Sequence, residues 1–218
     1  MSLKGSKKEH RQKYITVDEF HRILDIASKD PLNFSFVYTM GGLGLRCSEL
    51  LLLKREHFNF DTNEISIPTL KSSFGNPSKF KESLKGLVKN KPILERPLKT
   101  LVFDARLMDK LKTFSYPPYP GKMMHYYYQF KRLIRLAGLP NYYGTHVFRH
   151  MHGTVAWEVT GDIQQAKIRL RHYTPTGDVT WMYMHLSEDT QREIAKRIYE
   201  RIFERKKFTI TLNKTEVA

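Results

Sequence analysis

The stretch that most limits the fold is HFNFDTNEISIP, His57 to Pro68. Here apolar residues fall on every second position, with Phe58 and Phe60 before the polar run DTNE and Ile65 and Ile67 after it. Alternation on both sides of a turn-forming run predicts a β-hairpin. On either side of it the spacing changes to three and four, the period of helices. ERPLKTLVF, Glu95 to Phe103, supplies a third strand. The expected fold is therefore mainly α with a small antiparallel three-stranded β-sheet inserted after the first helices, an α+β arrangement.

Capping signals mark the helices. Thr16 with Glu19 forms a capping box ahead of Phe20, Ile23, Leu24 and Ala27. Pro31 opens a second helix, which is expected to stop at Gly41-Gly42. CSELLLLK reads as a short, mostly buried helix. After the third strand come helices in DARLMDKLKTF and in KMMHYYYQFKRLIRLAG, the second ending at Gly138. THVFRHMHGTVAWEV is expected to be capped by Thr145, and DIQQAKIRL follows it. TGDVTWMYMH is a short helix, and Ser187 caps the last one, with two acids in its first turn. There are no internal repeats.

Of the 218 residues 40% are hydrophobic, enough for a real core. No apolar run approaches the roughly 20 residues of a membrane span, and the basic N-terminus lacks the apolar stretch of a secretory signal. A single cysteine, Cys47, rules out an internal disulfide framework and fits a reducing, cytoplasmic setting. The net charge of +15 makes nucleic acid the expected class of partner, with no membrane involved. Much of that charge is local, because Lys71 to Lys99 carries eight cationic and two acidic side chains, a net +6. We divide the chain into a flexible basic tail at 1–12, a domain at 13–206 and a tail strand at 207–218. That strand has no evident partner in its own sheet and is a candidate for exchange between protomers.

Four segments carry groups suited to chemistry. In GTHVFRH, His146 and Arg149 stand three apart near a helix N-terminus; a solvated polar face or an anion site both satisfy that pattern. In GGLGLRCSEL, Arg46 sits at a bend, and Glu49 three residues on can orient it. The glycine spacing fits no nucleotide-binding loop. Lys71 follows the second strand, where a lysine is either solvated or reaches a bound backbone. In RLRHYTPTGDVTWMYMH, His172 precedes a loop and Tyr183 lies beyond it, with His185 two residues later. By itself Tyr183 is one of 12 tyrosines, with a hydroxyl pKa of about 10. No metal-ligand spacing or Gly-x-Ser-x-Gly elbow occurs, so neither a metal nor a cofactor is expected.

Together these segments resemble the catalytic domain of tyrosine recombinases, the phage integrase family, over roughly Tyr14 to Phe203. GLRCSEL matches the family's arginine motif through Arg46, and THVFRH matches H-x-x-R through His146 and Arg149. LRH offers His172, and TWMYMH offers Thr180, Tyr183 and His185. Lys71 fits the lysine that follows the second strand. Arg171 stands where the family has the glycine of LGH, and the gap from His172 to Tyr183 is about two residues longer than usual. The longer stretch after Lys71 makes Lys79 and Lys81 rivals for its role. The N-terminal clamp domain usual in the family is not recognised here.

The resemblance implies a DNA integrase or recombinase that cuts and rejoins duplex DNA through a 3′-phosphotyrosine. It implies Arg46, Lys71, His146, Arg149, His172 and Tyr183 as catalytic residues, with Glu49 and His185 in support. Lys79, Lys81, Arg132 and Arg135 would bind the DNA backbone. A homotetramer on DNA, a nucleoid-associated location and a prokaryotic or viral origin also follow from it. A type IB topoisomerase, a resolvase and an inactive DNA-binding module are the alternatives.

Overall fold

The computed structural model describes residues 14–68, 99–118, 123–171 and 187–204. Lys71, Lys79, Lys81, His172, Tyr183, His185 and both proposed tails lie outside them.

Helix α1 (Val17–Ala27) opens with the expected capping box. Thr16 Oγ1 accepts from Glu19 N at 3.1 Å, and Glu19 Oε2 accepts from Thr16 N at 2.8 Å. The box turns Phe20, Ile23 and Ala27 inward. Asp30 caps α2 (Pro31–Leu43) by accepting from Leu32 N and Asn33 N. This helix is almost wholly buried and forms the centre of the fold.

Contrary to the sequence expectation, α2 runs through Gly41 and Gly42 and ends at Gly44, which is left-handed at φ 58°. The two inner glycines are packing positions. A Cβ on Gly41 would lie 2.4 Å from Phe20 Cε2, and one on Gly42 would lie 2.7 Å from Leu107 Cδ1. Their missing side chains let neighbouring helices approach, and that close packing outweighs their poor helix propensity.

Helix α3 (Cys47–Leu52) and a 3₁₀ turn (Arg55–His57) lead into the sheet. Strands β1 (Phe58–Asn59), β2 (Glu64–Ile67) and β3 (Lys99–Val102) pair antiparallel in that order. Phe58 faces Ile65, and Ile65 faces Leu101. Ile65 and Ile67 point into the core while Glu64 and Ser66 alternate outward, as the period of two requires. Asn59 Oδ1 closes the turn by accepting from Asp61 N and Thr62 N.

Five helices follow: α4 (Ala105–Lys112), α5 (Met123–Leu136), α6 (His146–Thr160), α7 (Ile163–Arg169) and α8 (Glu188–Phe203). Asp104, Asp162 and Ser187 cap α4, α7 and α8. Thr145 precedes α6 with helical torsions and makes no side-chain cap, a correction to its expected role. A residue already in the αR region cannot aim its hydroxyl at the first free N–H groups.

Phe148 is the hub of the core. Its ring meets Phe20 of α1 at 6.0 Å, Phe36 of α2 at 6.4 Å and Phe130 of α5 at 5.5 Å, all edge-on. Burying such a ring stabilises the fold by about 2–3 kcal/mol. It also fixes the rotation of α6, and so the direction of its neighbour Arg149. Among the described residues no helix is long and apolar enough to cross a membrane.

Candidate active site

The site forms where the C-terminal end of α2 meets the first turn of α6. Beyond Gly44 the chain turns so that Arg46 stands extended at the N-cap of α3. Glu49, three residues into the helix, reaches back to it. Its Oε2 accepts from Arg46 N at 2.8 Å, and its Oε1 pairs with Arg46 Nη1 at 2.7 Å. The sequence reading of Glu49 as the residue that orients Arg46 therefore describes this contact.

Glu49 also does more. It is fully buried, and its Oε2 lies 3.4 Å from Arg149 Nη1 and 3.1 Å from Arg171 Nη2. One carboxylate thus gathers three guanidiniums, from α3, α6 and the end of α7. Burial pushes the Glu49 pKa up, but Arg171, Arg149 and Arg46 outweigh it and hold the carboxyl below its ordinary value.

Arg149 is buried, and each of its terminal nitrogens has a main-chain acceptor. Nη1 donates to Gly44 O at 2.8 Å, and Nη2 donates to Leu170 O. Burial and the charge of Arg171 push its pKa down to about 9. It is still a cation at neutral pH, held where cations outnumber anions. Arg46 is the accessible member, with 30% of its side chain open to solvent.

His146 opens α6 on its exposed side. Desolvation, Arg149 and Arg46 lower its pKa, which leaves a neutral imidazole beside the arginines at pH 7, able to take or relay a proton. The structure therefore brings together Arg46, Glu49, His146 and Arg149. Arg132 and Arg135 sit apart on the exposed side of α5, outside the Glu49 cluster.

Two further residues escaped the sequence reading. Arg171 appeared there only as a departure from a glycine, yet its side chain is wholly inaccessible and joins the cluster. Its αL backbone, φ 53°, is the conformation that a glycine at this position signals. His152, one turn beyond Arg149, packs its ring against Gly44, and its Nδ1 lies 3.0 Å from Gly41 O. Burial pushes its pKa down to about 3, so it is neutral. With Nδ1–H donating, its Nε2 meets no protein partner. Among the described residues no group of three or more His, Cys, Asp or Glu side chains is placed to hold a metal ion.

The arrangement can bind an anion. Several fixed guanidiniums over a single carboxylate leave an excess of positive charge, and donors fixed in advance cost little to align.

Comparison with known proteins bears on this geometry. The model of the phage integrase family matches residues 13–189. A 59-residue stretch is 42% identical to tyrosine recombinase XerC of Salmonella typhi, covering 26% of this chain and 20% of that protein. The fold superposes on the XerA recombinase with a TM-score of 0.56 and 18% identity, over 91% of this chain and 67% of that one. It superposes on the integrase of mycobacterium phage Brujita with a TM-score of 0.57 and 18% identity, over 92% of this chain and 61% of that one. These two likenesses show a shared fold.

Proposed function

The chain belongs to the phage integrase family, and from that premise we propose that it is the catalytic domain of a site-specific DNA recombinase or integrase. The observation that carries the reading is the convergence of Arg46 and Arg149 on Glu49 from elements about a hundred residues apart. The fold brings together two arginines that the family motifs single out, beside His146.

In this reading Tyr183 attacks a phosphodiester of duplex DNA. A P–O bond forms to the tyrosine as the P–O5′ bond breaks, leaving a 3′-phosphotyrosine and a 5′-hydroxyl. The tyrosine proton passes to a histidine, His146 or His172. The leaving oxygen takes a proton from a lysine, Lys71 by position, with Lys79 and Lys81 as rivals. Reverse attack by a 5′-hydroxyl from another strand restores the phosphodiester. Bond energy stays in the covalent link, so the cycle draws on no cofactor. Arg46 and Arg149 donate to the non-bridging oxygens, and each such donor is worth about 3 kcal/mol in a water-excluded site. Glu49 orients the arginines and His185 supports the tyrosine segment.

Lys79, Lys81, Arg132 and Arg135 bind backbone phosphates without reading sequence. Duplex DNA is the partner, a homotetramer on DNA is the working assembly, and the tail at 207–218 couples protomers. The chain acts in the cytoplasm, at the nucleoid.

The test is a duplex nicked close to the cleavage point, so that the short fragment carrying the new 5′-hydroxyl diffuses away after attack. The native chain should form a covalent adduct, and Tyr183→Phe should form none. An adduct that persists in that variant removes Tyr183 as the nucleophile.

A further inference from the structure

Arg171 is hard to explain as a stabilising residue. Its backbone lies in the left-handed region, uncommon for any residue but glycine. Its guanidinium is wholly buried in a cluster with a single carboxylate, where a third cation costs desolvation that no second anion returns. Arg169 adds another buried guanidinium nearby, donating to the carbonyls of Val102 and Gln191. Strain and uncompensated charge held together in one place mark a functional position.

The contacts show what Arg171 acts on. Nη2 donates to Glu49 Oε2 at 3.1 Å and to Gly44 O at 2.9 Å. Nη1 donates to Leu43 O at 3.2 Å and Arg169 O at 2.9 Å. Glu49 Oε2 and Gly44 O are also the atoms that Arg149 Nη1 faces, at 3.4 and 2.8 Å. The two guanidiniums therefore share both acceptors. If Arg171 were absent, Glu49 would be divided between Arg46 and Arg149 alone and would cancel more of the charge they present.

We infer that Arg171 is a positioning residue of the recombinase site: it acts through Glu49 and Gly44 to hold Arg149 in place while offsetting the carboxylate's negative charge. It keeps Glu49 useful as an orienting group without letting it repel a bound phosphate. This rests on the recombinase reading above.

The test uses the full chain and compares native protein with Arg171→Gly, which suits the αL backbone and removes the whole side chain, guanidinium included. Folding is checked by melting, and single-turnover cleavage of the nicked duplex is measured beside equilibrium DNA affinity. We expect cleavage at least tenfold slower, with affinity within twofold, because many other phosphate contacts set affinity. A folded variant cleaving within twofold of native overturns the inference. So does a loss shared equally between rate and affinity, which marks a structural strut. If Arg171→Gly does not fold, Arg171→Gln is held to the same limits, and failure of both to fold also overturns it. No adduct from the native chain overturns the recombinase reading and this inference with it. An adduct from native protein that Arg171→Gly leaves undiminished overturns this inference alone.

Discussion

Two ion-pair clusters in this molecule have opposite stoichiometry. At the α2–α6 junction one buried carboxylate, Glu49, meets three guanidiniums, of which Arg149 and Arg171 are shut off from bulk water and Arg46 is partly open to it. On the α4–α8 surface one guanidinium, Arg106, meets three carboxylates. It lies 2.9 Å from Asp104, 3.5 Å from Glu200 and 2.5 Å from Glu204, and stacks over Tyr199 at 4.4 Å. Arg106 keeps 43% of its side chain exposed, so solvent and salt absorb its imbalance. In the Glu49 cluster only Arg46 has such relief, and the charge of Arg149 and Arg171 is held away from solvent. What separates the candidate site from the surface network here is burial, since both have close contacts.

The sharpest way to break this contrast is Glu49→Gln. It leaves two buried guanidiniums, Arg149 and Arg171, with no anion and should cost about 3–5 kcal/mol by chemical denaturation. A loss below 1 kcal/mol would put the two clusters in one class.

Acid provides the next test. Unfolded His152 takes up a proton near pH 6.5, whereas the folded ring resists until about 3. The unfolded state then binds more protons, so stability falls as pH drops from about 6.5, by up to about 1.4 kcal/mol per pH unit. Glu49, with its folded pKa depressed, adds to the loss only below its unfolded pKa of about 4.3. His152→Asn keeps a donor for Gly41 O and should flatten the slope between pH 6 and 4. An unchanged slope would place the acid sensitivity elsewhere.

Gly44→Ala should cost about 1–3 kcal/mol through overpacking and αL strain. Its Cβ would lie 2.8 Å from the buried His152 ring, at a position with φ 58°. Melting measures the effect, and a neutral result would mean that the junction yields. The smallest change is expected for Arg106→Ala, about 1 kcal/mol or less and shrinking with added salt. A larger, salt-resistant loss would show that the surface network is a structural element.

The local rules were legible where they act within a few residues. The Thr16–Glu19 box, the Asn59 turn and the alternation of Ile65 and Ile67 need only neighbours in the chain. Gly41 and Gly42 misled because a glycine pair signals a stop when read locally, and its packing against Phe20 and Leu107 is tertiary. The motifs located Arg46, His146 and Arg149, and spacing linked Glu49 to Arg46. Nothing local showed that Glu49 would also meet Arg149 and Arg171, 100 and 122 positions away. For Arg171 one signal existed: an arginine where the family pattern has glycine implies a left-handed backbone with a long side chain that must go somewhere.

The C-terminal end of α2 has a consequence for inheritance. The oxygens of Leu43 and Gly44 receive donors from Arg171 and, at Gly44, from Arg149. They are main-chain atoms, so no codon change deletes them. Leu43 should tolerate other apolar residues as an ordinary core position, and its part in holding a guanidinium would leave no trace in a tally of tolerated substitutions. Half of this cradle is written in side chains that drift can erase, and half in a backbone that only a change of shape can remove.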